Sequence, residues 1–308
     1  MPVKPALFPR TIRFAKLNAA GNDFVCLDNT RGAYDRLLGS AVLREFVRRI
    51  CRRGLAVGAD GVMFACPPGG HAGADIVARF LEPDGSEAEL CGNGTACFTH
   101  WTITSGLVPG PFIVIATAAG MARGRMLPRE PGRVQVCVPD PRGLQRDLDV
   151  EVNGEPWRLD CLDTGVPHAV AYVEDLEGLD VGRWGPGIRY HATFQPRGVN
   201  ANFVQVRGVG HIAVRTYEFG VEAETLACGT GSAAAAILTC LRYNWPEPYL
   251  QGVEPVRVDV RGGETLEVFF ICEDRNTVRD VCLRTRVQPV YDGVLRPELL
   301  AELRKLEG

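Results

Sequence analysis

The sequence of 308 residues has no apolar run approaching the roughly twenty residues that a membrane-spanning helix needs. Its first stretch, MPVKPALFPRTIRF, holds prolines and lacks the apolar core of a secretory signal. No sign of charge dominates: 34 Lys and Arg stand against 37 Asp and Glu, a formal net charge of −3. The arginines are scattered, so no basic patch is offered to nucleic acid or to an anionic membrane. Motifs are missing as well. No C-x-x-C, H-E-x-x-H, phosphate-binding Walker loop or G-x-S-x-G occurs, which argues against zinc knuckles, zincins, P-loop enzymes and serine hydrolases of the elbow type. The expectation is a cytoplasmic protein with no metal, no cofactor, and neither nucleic acid nor membrane as partner.

What is present is ordinary globular composition, 46% apolar and 23% charged, in a chain long enough for two domains. Eleven cysteines, an odd number without an export signal, are expected to be reduced thiols. Most lie in apolar runs, where a free cysteine is a small buried hydrophobe. IRFAKLNAAGNDFVCLDN reads as strand, tight turn, strand. Leu37, Leu38, Val42, Phe46, Val47 and Ile50 recur at helical spacing, so one amphipathic helix is expected to end near Gly54. DGVMFAC, DIVARFL and PFIVIATAAGMARGRM read as strands, as do GVNANFVQV, HIAVRTYEF and VRVDVRGGETLEVFF.

Two cysteines stand apart. Cys91 in ELCGNGTACF and Cys228 in LACGTGSAAAAIL are each followed by Gly-x-Gly and an apolar helix, over about 94–106 and 229–242. SEAELCGNGTAC matches EAETLACGTGSA, and the thiols are 137 residues apart, the spacing of one domain copied once. The reading is a duplicated α+β fold in which each half wraps a sheet around one buried helix. The first half is placed at 1–130, the second at 131–283, with 284–308 returning to the first.

A helix start carries four N–H groups without internal partners, and with the helix dipole these hold a carboxylate. The same position is expected to lower a thiol pKa. Two such junctions brought together would place one thiol on each face of an amino acid's α-carbon. One thiolate would take the α-proton and the opposite thiol would return one, inverting the centre. The developing charge would fall on the carboxylate, where the N–H groups wait. His168 in DTGVPHAV and Glu218 in RTYEFG are candidate partners for the thiols, His168 for Cys91 and Glu218 for Cys228.

With these residues the sequence resembles the diaminopimelate epimerase family over nearly its whole length. The segments that carry the resemblance are AAGNDFVCLD, LAVGADGV, DGSEAELCGNGTACF, TGVPHAV, GVNANFVQV, YEFGVEAETLACGTGSAAAA, VRVDVRGGETLEV and PVYDG. The resemblance implies two pseudo-symmetric domains with the active site in the cleft, and a cofactor-independent two-base reaction. In it Cys91 and Cys228 are the acid–base thiols and His168 and Glu218 assist. It further implies that Asn22 and Asn200 contact substrate, that the amides of Gly92, Asn93, Gly229 and Thr230 hold the α-carboxylate, and that the chain forms a homodimer.

Four positions depart from the family. Where it reads the second amino-carboxylate end of diaminopimelate with a glutamine, two asparagines and an arginine, this chain has Gly61, Glu82, Val166 and Phe219. Phe219 offers no pair to a distal carboxylate, and Glu82 would repel one. The expected substrate is therefore an amino acid without that carboxylate, with a basic or amine-bearing side chain such as histidine, ornithine or 2,3-diaminopropionate, or with neutral donors such as a ureido group. Diaminopimelate itself is the alternative, and a non-catalytic amino-acid-binding protein is the alternative of another class.

Overall fold

The structure is a computed structural model that describes residues 7–88, 90–274 and 276–304. Residues 1–6 and 305–308, at the two ends of the expected first domain, lie outside the described residues. Among the described residues no helix is long and apolar enough to cross a membrane. The chain divides into two compact units, one of Met1–Leu90, Gly94–Gly132 and Val287–Gly308, the other of Cys91–Asn93 and Arg133–Arg286.

In the first unit β1 (Arg13–Ala19) and β2 (Asn22–Asp28) form an antiparallel hairpin. Its two turn residues, Ala20 and Gly21, have φ of 52° and 84°, the left-handed pair that a two-residue hairpin turn requires. Two helices follow, α1 (Asp35–Leu38) and α2 (Val42–Cys51). The single helix expected here is broken at Gly39 and Ser40, yet Leu37, Phe46, Val47 and Ile50 all reach the core formed with Phe8, Tyr34 and Phe64. β3 (Gly61–Cys66) then pairs parallel to β2, and β4 (Ile76–Leu81) antiparallel to β3. The short β5 (Glu87–Ala88) adds to β4, and α3 (Gly92–Thr104) follows. β6 (Phe112–Thr117) runs parallel to β4, and β7 (Gly120–Met126) antiparallel to β6.

The second unit opens with β8 (Arg133–Cys137) and β9 (Arg142–Val152), the latter paired to β10 (Glu155–Asp163). From β10 the order of the first unit recurs. β11 (Pro167–Tyr172) is antiparallel to β10, and α4 (Val181–Arg189) crosses over. β12 (Asn200–Gly208) is parallel to β11, β13 (His211–Glu218) antiparallel to β12, and β14 (Ala223–Thr225) adds to β13. After α5 (Gly229–Tyr243) and the short α6 (Glu247–Leu250), β15 (Val256–Val260) runs parallel to β13 and β16 (Thr265–Cys272) antiparallel to β15. The long β17 (Val278–Val294) pairs first with β16 and β8 in this unit. Its last part, from Val287, pairs with β1 in the first unit, and α7 (Ala301–Arg304) ends the described chain. The fold is α+β and duplicated: β1–β7 with α3 repeat as β10–β16 with α5.

Each repeat wraps its sheet around its own central helix. In α5 every residue from Gly229 to Leu241 is buried, and the helix meets β10 to β13, β15 and β16. A helix buried on all sides needs small side chains where strands approach, which Ala233–Ala236 provide. α4 holds Gly182, Gly185, Pro186 and Gly187, so helix propensity does not announce it.

The expectation that all eleven cysteines are reduced fails at one pair. Cys137 and Cys282 form a disulfide, their Cα atoms 3.9 Å apart. They are direct partners in the β8–β17 register. The other nine are not disulfide-bonded, and all but Cys91 are buried.

Candidate active site

Both singled-out thiols lie at helix starts, and both belong to the second unit. Cys228 is the N-cap of α5, with extended backbone (φ −118°, ψ 110°), and its sulfur accepts from the Gly231 N–H at 3.4 Å. Cys91 immediately precedes α3. The two helix starts touch. A Cβ added to Gly92 would lie 3.3 Å from the Gly229 Cα, and one added to Gly229 would lie 3.2 Å from the Gly92 Cα. A side chain at either position would crowd the facing backbone, so glycine suits this close approach. Asn93 ties the pair further, its Nδ2 donating to the Ala227 carbonyl at 3.3 Å. Two helix starts, each with its positive dipole end, thus meet immediately after two thiols in the chain.

The electrostatics of Cys228 run against the expectation of a lowered thiol pKa. Burial pushes this thiol well above its ordinary value, and the Glu218 carboxylate pushes it further; the Thr230 hydroxyl and Gly231 N–H act the other way. A Cys91 thiolate would raise it too. The helix start is real, but desolvation of a fully enclosed sulfur outweighs it. His168 is also fully enclosed, and burial pushes it down to about 3, so its imidazole is neutral at ordinary pH.

His168, expected as a partner of Cys91, is linked to Cys228 through one hydroxyl. Its Nε2 lies 3.0 Å from Thr230 Oγ1, which lies 3.5 Å from Cys228 Sγ. Its Nδ1 faces Asn202 Nδ2 at 3.2 Å. Asn202, itself fully buried, also donates to the carbonyls of Ala169 and Asn200 and accepts from Thr216 Oγ1 at 3.0 Å. Thr164 Oγ1 donates to the Thr230 carbonyl at 2.9 Å. Residue-type reasoning singled out the Thr230 amide and not its hydroxyl, and it passed over Asn202 and Thr216. The available signal was a second asparagine inside the buried strand GVNANF, since a buried amide needs partners.

Glu218 is the last residue of β13 and acts on Cys228 through space. Asn200 opens β12, but its amide is engaged by backbone: Nδ2 donates to the Pro167 carbonyl (3.2 Å) and Oδ1 accepts from the Phe219 N–H (2.7 Å). It thereby joins the strand ends that carry His168 and Glu218. Val166 is half-buried at the turn before β11. The Phe219 ring lies over the Arg189 guanidinium, 4.2 Å to its centroid. That guanidinium is buried and already paired with Glu222 at 3.1 Å, so it is not free to bind a carboxylate.

The three singled-out residues of the first unit lie at the matching strand ends. Asn22 opens β2 and donates to Asp60 Oδ2 at 2.9 Å. Gly61 opens β3, where a Cβ would lie 2.9 Å from the Leu81 carbonyl oxygen and 3.3 Å from the Phe24 ring. Glu82 directly follows β4, its N–H bonded to the Ser86 carbonyl. The register Val62↔Leu81 in this unit and Ala201↔Tyr217 in the other put Glu82 in the place of Glu218, and Gly61 in that of Asn200. Among the described residues no group of three or more His, Cys, Asp or Glu is arranged to hold a metal ion.

Comparison with known proteins gives the following. The family model described as diaminopimelate epimerase matches residues 14–130 and 161–278. The diaminopimelate epimerase of Aquifex aeolicus (strain VF5) is 37% identical over 294 residues, covering 94% of this chain and 99% of that protein. The diaminopimelate epimerase of Archaeoglobus fulgidus is 37% identical over 303 residues, covering 95% and 98%. Among solved structures, a probable proline racemase from Agrobacterium radiobacter K84 superposes with a TM-score of 0.72 at 16% identity, covering 95% of each chain. A hydroxyproline epimerase from Agrobacterium vitis gives 0.69 at 16% identity, covering 94% and 92%. At that identity the likeness of these two is one of fold.

Proposed function

Since the chain belongs to the diaminopimelate epimerase family and is an isomerase of the racemase and epimerase kind, we propose that it inverts the α-carbon of an amino acid with Cys91 and Cys228 as two opposed acid–base groups. In each turnover one sulfur begins as thiolate and takes the α-proton. The C–H electron pair passes into the carboxylate, which becomes an enediolate. The other thiol gives its proton to the opposite face and ends as the thiolate. Atoms and charge balance, and the enzyme is left with the roles of its thiols exchanged, ready for the reverse direction. The amides of Gly92, Asn93, Gly229 and Thr230 stabilise the enediolate, and Glu218 and His168 govern the protonation of Cys228. The observation that carries this reading is the meeting of the two thiol-bearing helix starts at Gly92 and Gly229. In the same reading Asn22 and Asn200 contact the substrate. The homodimer is part of the same reading, and light scattering of the purified chain tests it.

The substrate we infer lacks a distal carboxylate. In support, Phe219 replaces a guanidinium, the neighbouring Arg189 is paired with Glu222, and Glu82 adds a negative charge. Gly61 has no room for a longer side chain on this backbone. Val166 brings no amide. Histidine, ornithine and 2,3-diaminopropionate fit that chemistry. The second reading is LL-diaminopimelate, favoured by relatives at 34–39% identity that carry that activity in their names. Incubating single enantiomers of all four with the enzyme and resolving the products by chiral chromatography decides between them. Turnover of diaminopimelate alone overturns the first reading, and turnover of none overturns both.

A further inference from the structure

The two helix starts are not chemically alike. Thr230 follows Gly229 in α5 where Asn93 follows Gly92 in α3. The Asn93 amide is turned to the Ala227 carbonyl, whereas the Thr230 hydroxyl stands between His168 Nε2 and Cys228 Sγ, at 3.0 and 3.5 Å. We propose that Thr230 is the hydroxyl through which neutral His168 favours the thiolate form of Cys228, with Asn202 as the positioning residue that sets the direction of the chain. This rests on the reading of Cys228 as one of the two acid–base thiols.

The direction follows from Asn202. Its Nδ2 faces the carbonyls of Ala169 (3.0 Å) and Asn200 (3.2 Å), groups that only accept, while its Oδ1 takes the Thr216 hydroxyl. The amide is therefore fixed, and Nδ2 can only donate. Its two protons are shared among those carbonyls and His168 Nδ1 at 3.2 Å. His168 Nδ1 must then be bare, and because burial keeps the ring neutral, the single ring proton lies on Nε2. That proton is directed at Thr230 Oγ1. With its acceptor side so engaged, the Thr230 O–H is free to point at the sulfur, where it stabilises a thiolate more than a thiol. No proton changes owner along the chain: it is a fixed set of donors aimed at Cys228. Gly231 is what lets the set close, since a Cβ there would fall 2.3 Å from Asn202 Oδ1 and 3.3 Å from the sulfur. The charged groups acting on the same sulfur are Glu218 and a Cys91 thiolate, and both oppose its ionisation, so the hydroxyl works against them.

The test is an ultraviolet thiolate titration of the full chain, taken as the difference between each protein and its Cys228→Ser partner. Thr230→Val is expected to move the Cys228 midpoint up by about one pH unit, a tenfold loss of thiolate at fixed pH, and Thr230→Ser to return it. Thr230→Ala, with circular dichroism melting of each variant, covers the case in which valine disturbs the fold. Folded Val and Ala variants that titrate like the parent, or a Ser variant shifted as far as Val, overturn the proposal. The titration needs no substrate. If the parent exchanged the α-hydrogen of no amino acid, the two-thiol reaction would fall while the titration still ruled on the hydroxyl.

Discussion

Replacing Gly231 by alanine is a sharp probe of the site, because two effects of opposite sign are both large. Alanine is favoured over glycine in a helix by about 1 kcal/mol, and Gly231 is in the first turn of α5. Against this, the new Cβ would stand 2.3 Å from Asn202 Oδ1, which calls for a shift of about 1 Å to reach ordinary contact. Asn202 has nowhere to go without loss. Its oxygen holds the Thr216 hydroxyl, and its nitrogen holds His168 and the carbonyls of Ala169 and Asn200. Overpacking costs about 1–3 kcal/mol, and each buried group left unsatisfied costs about 1–3 kcal/mol more. The propensity gain is outweighed, and a net destabilisation of about 1–5 kcal/mol is expected. Urea denaturation with an unchanged m-value reads this directly. A Gly231→Ala variant as stable as the parent, or more stable, with unchanged activity would refute the wedged position of Asn202 and the alignment built on it.

Other consequences are equally direct. Glu218→Gln removes a charge that pushes the Cys228 thiol up, so that thiol should titrate at lower pH in the variant; an unmoved midpoint in the Cys228→Ser difference titration contradicts this. His168 makes stability depend on acid. Above its ordinary pKa of 6.5 both states are neutral, but below it the unfolded ring takes a proton that the buried ring refuses until about 3. Stability should fall through that window by up to about 1.4 kcal/mol per pH unit, and His168→Gln should flatten much of the slope in denaturation midpoints measured from pH 7 to 4. The Cys137–Cys282 bridge spans 145 residues, and reductant or a double Cys→Ala change should cost roughly 2–5 kcal/mol. Identical denaturation curves with and without dithiothreitol would show that the bridge adds nothing.

Much of this was legible in the residues. The repeat of Cys-Gly-x-Gly before an apolar helix announces the duplication, and its glycines suit the close approach that Gly92 and Gly229 make. The strands came from alternation and β-branched content, and their ends hold the singled-out residues of both units. What was hidden depends on register. Nothing local pairs Cys137 with Cys282 until β8 and β17 lie side by side. β9 opens with the charged and largely exposed run RGLQRD, and only its end, LDVEV, alternates apolar and polar residues; α4 contains a proline and three glycines. The sign of the Cys228 shift was also out of reach, since a helix start favours a thiolate and only the depth of burial shows that desolvation prevails. Asn202 is a polar side chain in a buried strand, but its role emerges only with its four partners in place.

The central claim is tested most directly by following one enantiomer of the turned-over amino acid in deuterium oxide, with the parent enzyme and with Cys91→Ala and Cys228→Ala. Two opposed thiols predict that, at early times, the inverted product carries one solvent deuterium at the α-carbon while the remaining substrate keeps its hydrogen, and that neither variant inverts the centre. Product that retains the original hydrogen, substrate and product labelled alike from the start, or inversion that survives loss of either thiol would contradict it.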